Sequence, residues 1–354
     1  MKRVSVIIVN TNEGKVLFDC LDAVERAGRP HETIVVDNTS TDGSPERVRS
    51  EYPWVALYPS GGNLGYAGAN MLGTQHATGD IVVFLNPDAF VQPGWMEPLV
   101  ARFESDERIA VVGPKVYRGR PGVTKQFDSA GGDLEFPLCE GPPRGYLQPD
   151  RGQYEIADEV AYASGAAFAI RADALREVGG LDTSFWCYAE ETDLCWRLRL
   201  RGYACYYEPK SLVYHIGSFT FGGASPRKLY FQTRNRIRMS LQNLEFGNAL
   251  WFALNEVVHG IAVIVGTTIY RKYAELGKAY ARAWWDAIKL TPTTLRVRTE
   301  RQRTRVVRDR EILRLFKRVS LLQAILRYRT LASSGSEYLF ADQESQELLR
   351  RSMG

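Results

Sequence analysis

The chain has 354 residues, 45% of them hydrophobic and 24% charged, with a formal net charge of +4 at neutral pH. That length suits one large domain with additions or two domains, and the composition is ordinary for a globular protein. Its five cysteines, at 20, 139, 187, 195 and 205, include no Cys-x-x-Cys pair, which argues against a zinc site or a disulfide framework and for a reducing compartment.

The opening residues, MKRVSVIIVNTNEGK, carry a basic start and a short apolar run that stops at Asn10, Asn12 and Glu13. The run is too short for a secretory signal and predicts a first strand over 3–9. An amphipathic helix over 15–27 follows, then a strand over 32–37, a helix over 44–51 with Pro45 in its first turn, a short strand over 54–58, a helix over 65–77 and a strand over 80–85. The strands are near-continuous apolar runs, the mark of strands covered on both faces. Their alternation with helices predicts a doubly wound α/β sheet, which binds ligands beyond the carboxyl ends of its strands. From about 109 to 171 the pattern loosens into short strands and Gly/Pro-rich loops. A helix is predicted from Glu190 to about Arg201, closed by Gly202, then short strands over 203–215, and mostly helix from about 225. Residues 332–337 (ASSGSE) read as a flexible break, and no internal repeat is visible. No uncharged apolar stretch approaches the roughly 20 residues that span a bilayer; the nearest, 247–270, is interrupted by Glu256 and His259.

Several short stretches carry chemistry, each with a structural alternative. Asp37 ends a strand in VVDNTSTDGS, where a carboxylate can accept hydrogen bonds from a ribose or base, or simply cap a strand-to-helix turn. The glycine-rich GGNLGYAGANMLG (61–73) precedes a predicted helix and allows close backbone approach to phosphate, yet it fits neither a Walker loop nor a dinucleotide fingerprint. In FLNPDAF (84–90) an apolar run ends on Asn86, Pro87 and Asp88. That is either an ordinary turn or a rigid strand end placing a carboxylate on Mg²⁺ or Mn²⁺. Glu190, Glu191 and Asp193 open a helix whose remainder is strongly apolar. The helix dipole stabilises acids there, and clustered carboxylates beside a buried environment are also candidates for a general base. His215 at a strand end and Arg234 in YFQTRNRIR are a possible metal ligand and a possible phosphate grip, or a structural histidine and a solvated helix face.

Taken in order, VSVIIVNTNE, IVVDNTSTDGS, NLGYAGANMLG, FLNPDA, YAEETDLCWR with GY beyond it, VYHIGS and RNRIR resemble the family-2 glycosyltransferases of GT-A fold, nearest their bacterial rhamnosyltransferase-like branch, over roughly residues 3–240. The resemblance implies an α/β fold with a mostly parallel central sheet flanked by helices. It implies that Asn10 and Asn12 begin a nucleotide pocket, that Asp37 touches the nucleoside, and that Asn63, Gly65, Tyr66 and Asn70 line the nucleotide-sugar site. Asn86-Pro87-Asp88 stands where the family has Asp-x-Asp; with Asn in the first position, Asp88 becomes the main metal carboxylate and His215 completes the site for Mg²⁺ or Mn²⁺. Glu191 matches the usual catalytic base, as Glu instead of Asp, which keeps Glu190 and Asp193 as further candidates. Arg234 and the metal would stabilise the departing diphosphate in a single inverting displacement.

The resemblance implies a nucleoside-diphosphate sugar as donor, deoxythymidine-diphosphate rhamnose first by branch, and a glycan or polyprenyl-linked acceptor in cell-surface polysaccharide synthesis. The chain divides into a catalytic domain over 1–240, a helical extension over 241–331 and a tail over 332–354. Residues 296–318 hold ten Lys/Arg against three Asp/Glu. Next to apolar, Trp-bearing helices this suits an anionic membrane surface, or else an extension packed on the catalytic domain. A cytoplasmic enzyme, peripheral at the inner face of the plasma membrane, is the expectation. Nucleic acid is disfavoured because no binding module is visible. The competing readings are a transferase with another donor such as a UDP-hexose, a processive synthase, which would need membrane helices and Gln-x-x-Arg-Trp, and a non-enzymatic nucleotide- or carbohydrate-binding protein.

Overall fold

The computed structural model describes residues 2–217, 225–269 and 273–326. The predicted break at 332–337, the tail 332–354 and Ser218 of the VYHIGS motif lie outside the described residues. In chain order the elements begin β1 (Val4–Asn10), α1 (Gly14–Arg26), β2 (Glu32–Asp37), α2 (Ser44–Glu51), β3 (Val55–Pro59), α3 (Gly65–Thr74), β4 (Ile81–Leu85), β5 (Ala89–Val91) and α4 (Met96–Ser105). They continue with β6 (Ile109–Arg118), β7 (Phe127–Ser129), β8 (Glu135–Phe136), β9 (Asp158–Glu159), β10 (Ala167–Arg171), α5 (Ala172–Glu177), α6 (Glu190–Leu200) and β11 (Ala204–His215). Last come α7 (Pro226–Asn243), α8 (Phe246–Ile269), α9 (Ala274–Lys289), α10 (Thr291–Thr304), α11 (Asp309–Ile312) and β12 (Lys317–Arg318).

Two compact units divide the chain: residues 1–132, 143–198 and 203–217 form the first, and 133–142, 199–202 and 218–354 the second. The first is built on one sheet in the order β3-β2-β1-β4-β10-β6-β11-β5, with β7 on β6 and β9 on β11. β3, β2, β1 and β4 are parallel, β10 runs against both its neighbours, and β6 and β11 are again parallel. Every residue of β1 and β4 is buried, as continuous apolar runs require. α1 buries Val16, Leu17, Cys20, Leu21 and Val24, a stripe at helical spacing that packs inward. This is the doubly wound architecture the pattern predicts.

Two elements differ from expectation. The loosely patterned region contains β6, a ten-residue strand buried almost throughout between β10 and β11. Gly113-Pro114 in its middle breaks the apolar run, so in isolation it reads as short strand and loop. Residues 203–215 form one long strand, β11, whose register against β6 jumps between Glu208 and Leu212. That bulge is why it reads as separate short strands.

Register sets the working edge. Asn10 pairs beside Asp37 and Asp37 beside Pro59, so the carboxyl ends of β1, β2 and β3 finish level. Beyond β4 the chain turns through 86–88 into β5, which pairs with β11 so that Ala89 faces His215. On the other side of β11, His215 lies opposite Arg118 of β6, and β6 carries β7 on its flank.

In the second unit α8 and α9 are antiparallel. A methyl group on Gly260 would meet Trp284 at 2.1 Å and one on Gly277 would meet Thr267 at 2.3 Å, so both glycines mark close helix contacts. α8 runs unbroken through Glu256 and His259. By length and composition alone it is long and apolar enough to cross a membrane; Glu256 and His259 interrupt its apolar sequence, and both lie on its buried side. Glu256 accepts from Arg236 (2.8 Å), Tyr280 (2.9 Å) and Trp284 (2.9 Å), and the Tyr280 hydroxyl lies 3.1 Å from His259 Nδ1. Part of the basic run is structural too. Arg298 donates to the carbonyls of Leu241 and Leu244, Arg301 to Asn243, and Arg305 pairs with Asp309 at 2.7 Å.

Candidate active site

At the edge of the first unit, β4 delivers Asp88 and β11 delivers His215 to one point. Asp88 Oδ1 lies 3.1 Å from His215 Nε2, and Asn86 Nδ2 lies 3.3 Å from the same nitrogen. The Gly217 backbone N–H donates to Asp88 Oδ2 at 3.1 Å. On the far side of the imidazole, Asp128 Oδ2 is 2.9 Å from Nδ1, and Arg118 approaches Asp128 at 3.8 Å while donating to the Tyr146 hydroxyl. Burial alone would lower the His215 pKa, but the two flanking carboxylates prevail and raise it to about 10. Burial likewise works to raise Asp88, yet the imidazolium and the Gly217 amide hold it below the ordinary carboxylate value. An oxygen and an imidazole nitrogen sharing one position, with the other ring nitrogen fixed by a carboxylate, is a donor arrangement that accommodates a divalent ion. Among the described residues no group of three or more His, Cys, Asp and Glu stands ready to hold a metal ion.

Next to this point, the loops after β1, β2 and β3 are knitted together by amides and hydroxyls. Asn10 is fully buried; its Nδ2 donates to Ser40 (3.0 Å) and Ser44 (2.7 Å), and its Oδ1 accepts from Glu13 N. Asn12, at φ 58°, accepts from Thr41 N at 2.6 Å. Asp37 Oδ1 accepts from Ser40 N at 3.2 Å, and its carbonyl from Ser60 N. Asn38 donates to Thr11 and Asn63 and accepts from Leu64 N at 2.8 Å, so it ties three loops. Asn63 in turn accepts from Gly65 N at 3.0 Å. Gly65 sits at φ 66° and packs so closely on Trp186 that a methyl group would meet the Trp186 carbonyl oxygen at 2.5 Å. Asn70 is spent inside α3, donating to the Tyr66 carbonyl at 3.0 Å.

The acids of α6 reach the same edge through the turn 164–166. Asn86 N donates to the Ala166 carbonyl at 2.9 Å, the Tyr66 hydroxyl donates to the Gly165 carbonyl at 3.0 Å, and the Glu191 carboxyl carbon lies 3.5 Å from where a Gly165 methyl group would stand. The turn therefore touches both the Asn86–Asp88 segment and Glu191. Trp186, Tyr188 and Ala189, on the way into α6, have positive φ, a backbone state costing roughly 1–3 kcal/mol per residue and of the kind that gathers at functional sites. Glu190 is buried, and its Oε2 has no hydrogen-bond partner among the described residues. Burial and then the Glu191 charge push Glu190 well above the usual carboxylate range; burial raises Glu191 as well. Asp193 is different: fully buried, it pairs with Arg197 at 2.7 Å, and Arg197 also donates to the Val178 and Gly180 carbonyls. Arg234 belongs to the second unit, where its guanidinium donates to Asn235 and stacks over Tyr230 and Phe231.

Sequence reading had singled out Asp88, His215, Glu190 and Glu191 but missed Asp128, Arg118, Asn38 and Gly165. Asp128 lies 87 residues from His215, in a stretch with no periodicity, and only the β6–β7 and β6–β11 pairings bring them together. Asn38, next to Asp37, reads as one more loop amide.

Residues 5–179 match the family described as glycosyl transferase family 2. N-acetylglucosaminyl-diphospho-decaprenol L-rhamnosyltransferase of Mycobacterium tuberculosis is 29% identical over 215 residues, covering 55% of this chain and 69% of that protein. The low-salt glycan biosynthesis hexosyltransferase Agl10 of Haloferax volcanii is 27% identical over 202 residues, covering 55% of this chain and 61% of that protein. Among solved structures, GalNAc-T7 with UDP, GalNAc and Mn²⁺ superposes with a TM-score of 0.57 at 20% identity, covering 72% of this chain and 50% of that one. The fold is thus the GT-A fold the motifs implied.

Proposed function

Since the chain belongs to the family-2 glycosyltransferases and is an enzyme that uses nucleotide sugars, we propose that it moves a sugar, rhamnose first, from a nucleoside-diphosphate sugar to a hydroxyl of a lipid-linked saccharide, with inversion. The single observation that carries the chemistry is the convergence of Asp88 and His215 at 3.1 Å, joined to Glu191 through the turn 164–166. The rhamnosyltransferase relative, whose name specifies a diphospho-decaprenol acceptor, supports the sugar and the acceptor class. The hexosyltransferase relative supports a hexose other than rhamnose as the second reading.

The loops knitted by Asn10, Asn38 and Asn63 would hold the nucleotide, with Asp37 facing the nucleoside. Asp88 and His215 fit a divalent ion, and carboxylate, imidazole and diphosphate oxygens together suit Mn²⁺ better than Mg²⁺. When bound, the ion would supply positive charge to the diphosphate leaving group. Asp128 would keep the proton on His215 Nδ1, leaving the Nε2 lone pair for an ion shared with Asp88. The acceptor oxygen attacks the anomeric carbon from the face opposite the diphosphate. The new carbon–oxygen bond forms as the old one breaks, the bonding pair leaves with the diphosphate, and the hydroxyl proton passes to Glu191. Glu190 is the more deeply buried of the two glutamates and so the less accessible to an acceptor, and Asp193 is committed to Arg197. With a lipid-linked acceptor the reaction would run in the cytoplasm at the inner face of the plasma membrane, with the enzyme peripheral to it.

A donor screen tests the proposal. Nucleoside diphosphate release is measured with deoxythymidine-diphosphate rhamnose and with UDP-hexoses, with and without Mn²⁺ or Mg²⁺. Release from the rhamnose donor, dependent on the ion and on a saccharide acceptor, is expected. Turnover of UDP-hexoses alone would overturn the choice of sugar, and full activity in chelator would overturn the role given to Asp88 and His215.

A further inference from the structure

We propose that the outward face of α8 is a membrane-docking surface: the helix lies in the plane of an anionic bilayer, its exposed apolar side chains at the acyl–headgroup boundary and the exposed cations of α9 and α10 against lipid phosphates. The inference rests on the lipid-linked-acceptor reading for its purpose but on separate residues for its physics.

α8 is inverted relative to an ordinary surface helix. Phe246, Leu250, Leu254, Val258, Ile261 and Val265 succeed one another at steps of three or four residues, and every one is more than half exposed. Trp251, 52% exposed, adds an aromatic ring, a side chain that favours the membrane–water boundary. The helix has only two ionisable residues, Glu256 and His259, and both are buried. The stripe runs the length of a 24-residue helix, about 36 Å at 1.5 Å per residue. Contiguous apolar faces of this extent on a soluble protein mark interaction sites.

The buried side decides between lying on a membrane and crossing one. Glu256 is held by Arg236, Tyr280 and Trp284. Inserting α8 across a bilayer would pull that carboxylate from its partners into hydrocarbon, which is costly even where it is tolerated. Docked side-on, α8 keeps every one of these bonds and buries only its apolar stripe.

Charge selects the occupant. On α9, Trp285 and Ile288 are 59% and 60% exposed; Arg282 and Lys289, with side chains 77% and 59% exposed, flank Asp286 and lie 3.9 and 3.6 Å from its carboxylate. Lys289 sits 5.2 Å from the Trp285 ring. Arg296 and Arg303 of α10 are exposed as well. Set against Asp286, these four cations leave a net positive charge that a second copy would repel and lipid phosphates complement.

The test uses the full chain and sedimentation with vesicles of phosphatidylcholine alone or mixed with phosphatidylglycerol. The unaltered chain should sediment with the anionic vesicles and far less with the neutral ones. Leu254→Glu with Val258→Glu should reduce binding roughly tenfold or more. Arg282→Glu with Lys289→Glu should reduce it only on anionic vesicles, roughly fivefold per cation removed. Ile156→Glu, at an exposed apolar residue of the first unit (83% exposed), should change nothing. Circular dichroism and thermal melting confirm that each variant is folded, and transfer to a water-soluble acceptor should be unchanged in all of them. Binding that survives the glutamates, an unaltered chain that ignores anionic vesicles, or a dimer by light scattering that the glutamates dissociate would overturn the proposal. If the chain binds vesicles as described yet transfers no sugar to any lipid-linked acceptor, docking stands and the acceptor reading falls.

Discussion

The two units distribute polarity in opposite ways. In the first, apolar strands fill the interior and polar groups collect where the strands end, so Asn10, Asp37, Asn86, Asp88 and His215 meet along one edge. In the second, Glu256, Arg236 and His259 are inside while Leu254, Val258 and Ile261 face outward. Each arrangement supports one of the two proposals. An edge of amides and carboxylates suits an ion, a diphosphate and a hydroxyl. A helix with its polarity turned inward suits a medium that is not water.

The sharpest way to break the comparison lies in the first unit. Glu191→Gln should cut kcat by roughly 10²–10⁴-fold, the usual worth of a general base, with little change in thermal stability. Because burial raises the Glu191 pKa, and a base works only when deprotonated, turnover in the unaltered enzyme should rise with pH through a value above the ordinary carboxylate range. If Glu190→Gln loses as much activity, or if the acid limb stays near the ordinary value, the assignment of roles within the pair is wrong.

In the second unit, Arg236→Leu removes one partner of a buried charge pair. That should cost about 3–5 kcal/mol, read by urea unfolding; an unchanged midpoint would mean that the inward-facing polar cluster contributes nothing to order. A smaller effect is expected at the ion site. Asp128→Asn should weaken Mn²⁺ binding roughly 10–100-fold by calorimetry, with activity restored by excess Mn²⁺. Equal affinity in the variant would reduce Asp128 to a packing residue.

The smallest effect concerns Glu190. Burial and the Glu191 charge raise its pKa in the folded chain above the unfolded value, so it makes folding less favourable as pH rises past the ordinary carboxylate range. Glu190→Gln should therefore raise Tm at neutral pH by a few degrees at most and leave it unchanged near pH 4. A lower Tm at neutral pH would show that the ionised form is the one folding prefers.

The sequence by itself determined the alternating strands and helices of the first unit, because apolar runs and breakers are local and strand ends follow from them. It also marked Asp88, Glu190, Glu191 and His215, since acids and an imidazole at strand and helix ends stand out against apolar neighbours. Strand β6 and the continuity of β11 were hidden, for Gly113-Pro114 and the bulge beyond Glu208 are disfavoured locally and held only by pairing. Asp128 and Arg118 reach His215 only because three strands lay them beside it. Which side of α8 faces outward was likewise decided by the fold. The sequence showed Glu256 and His259 interrupting an apolar helix, and only packing against Arg236, Tyr280 and Trp284 drew them inside and left the apolar stripe exposed.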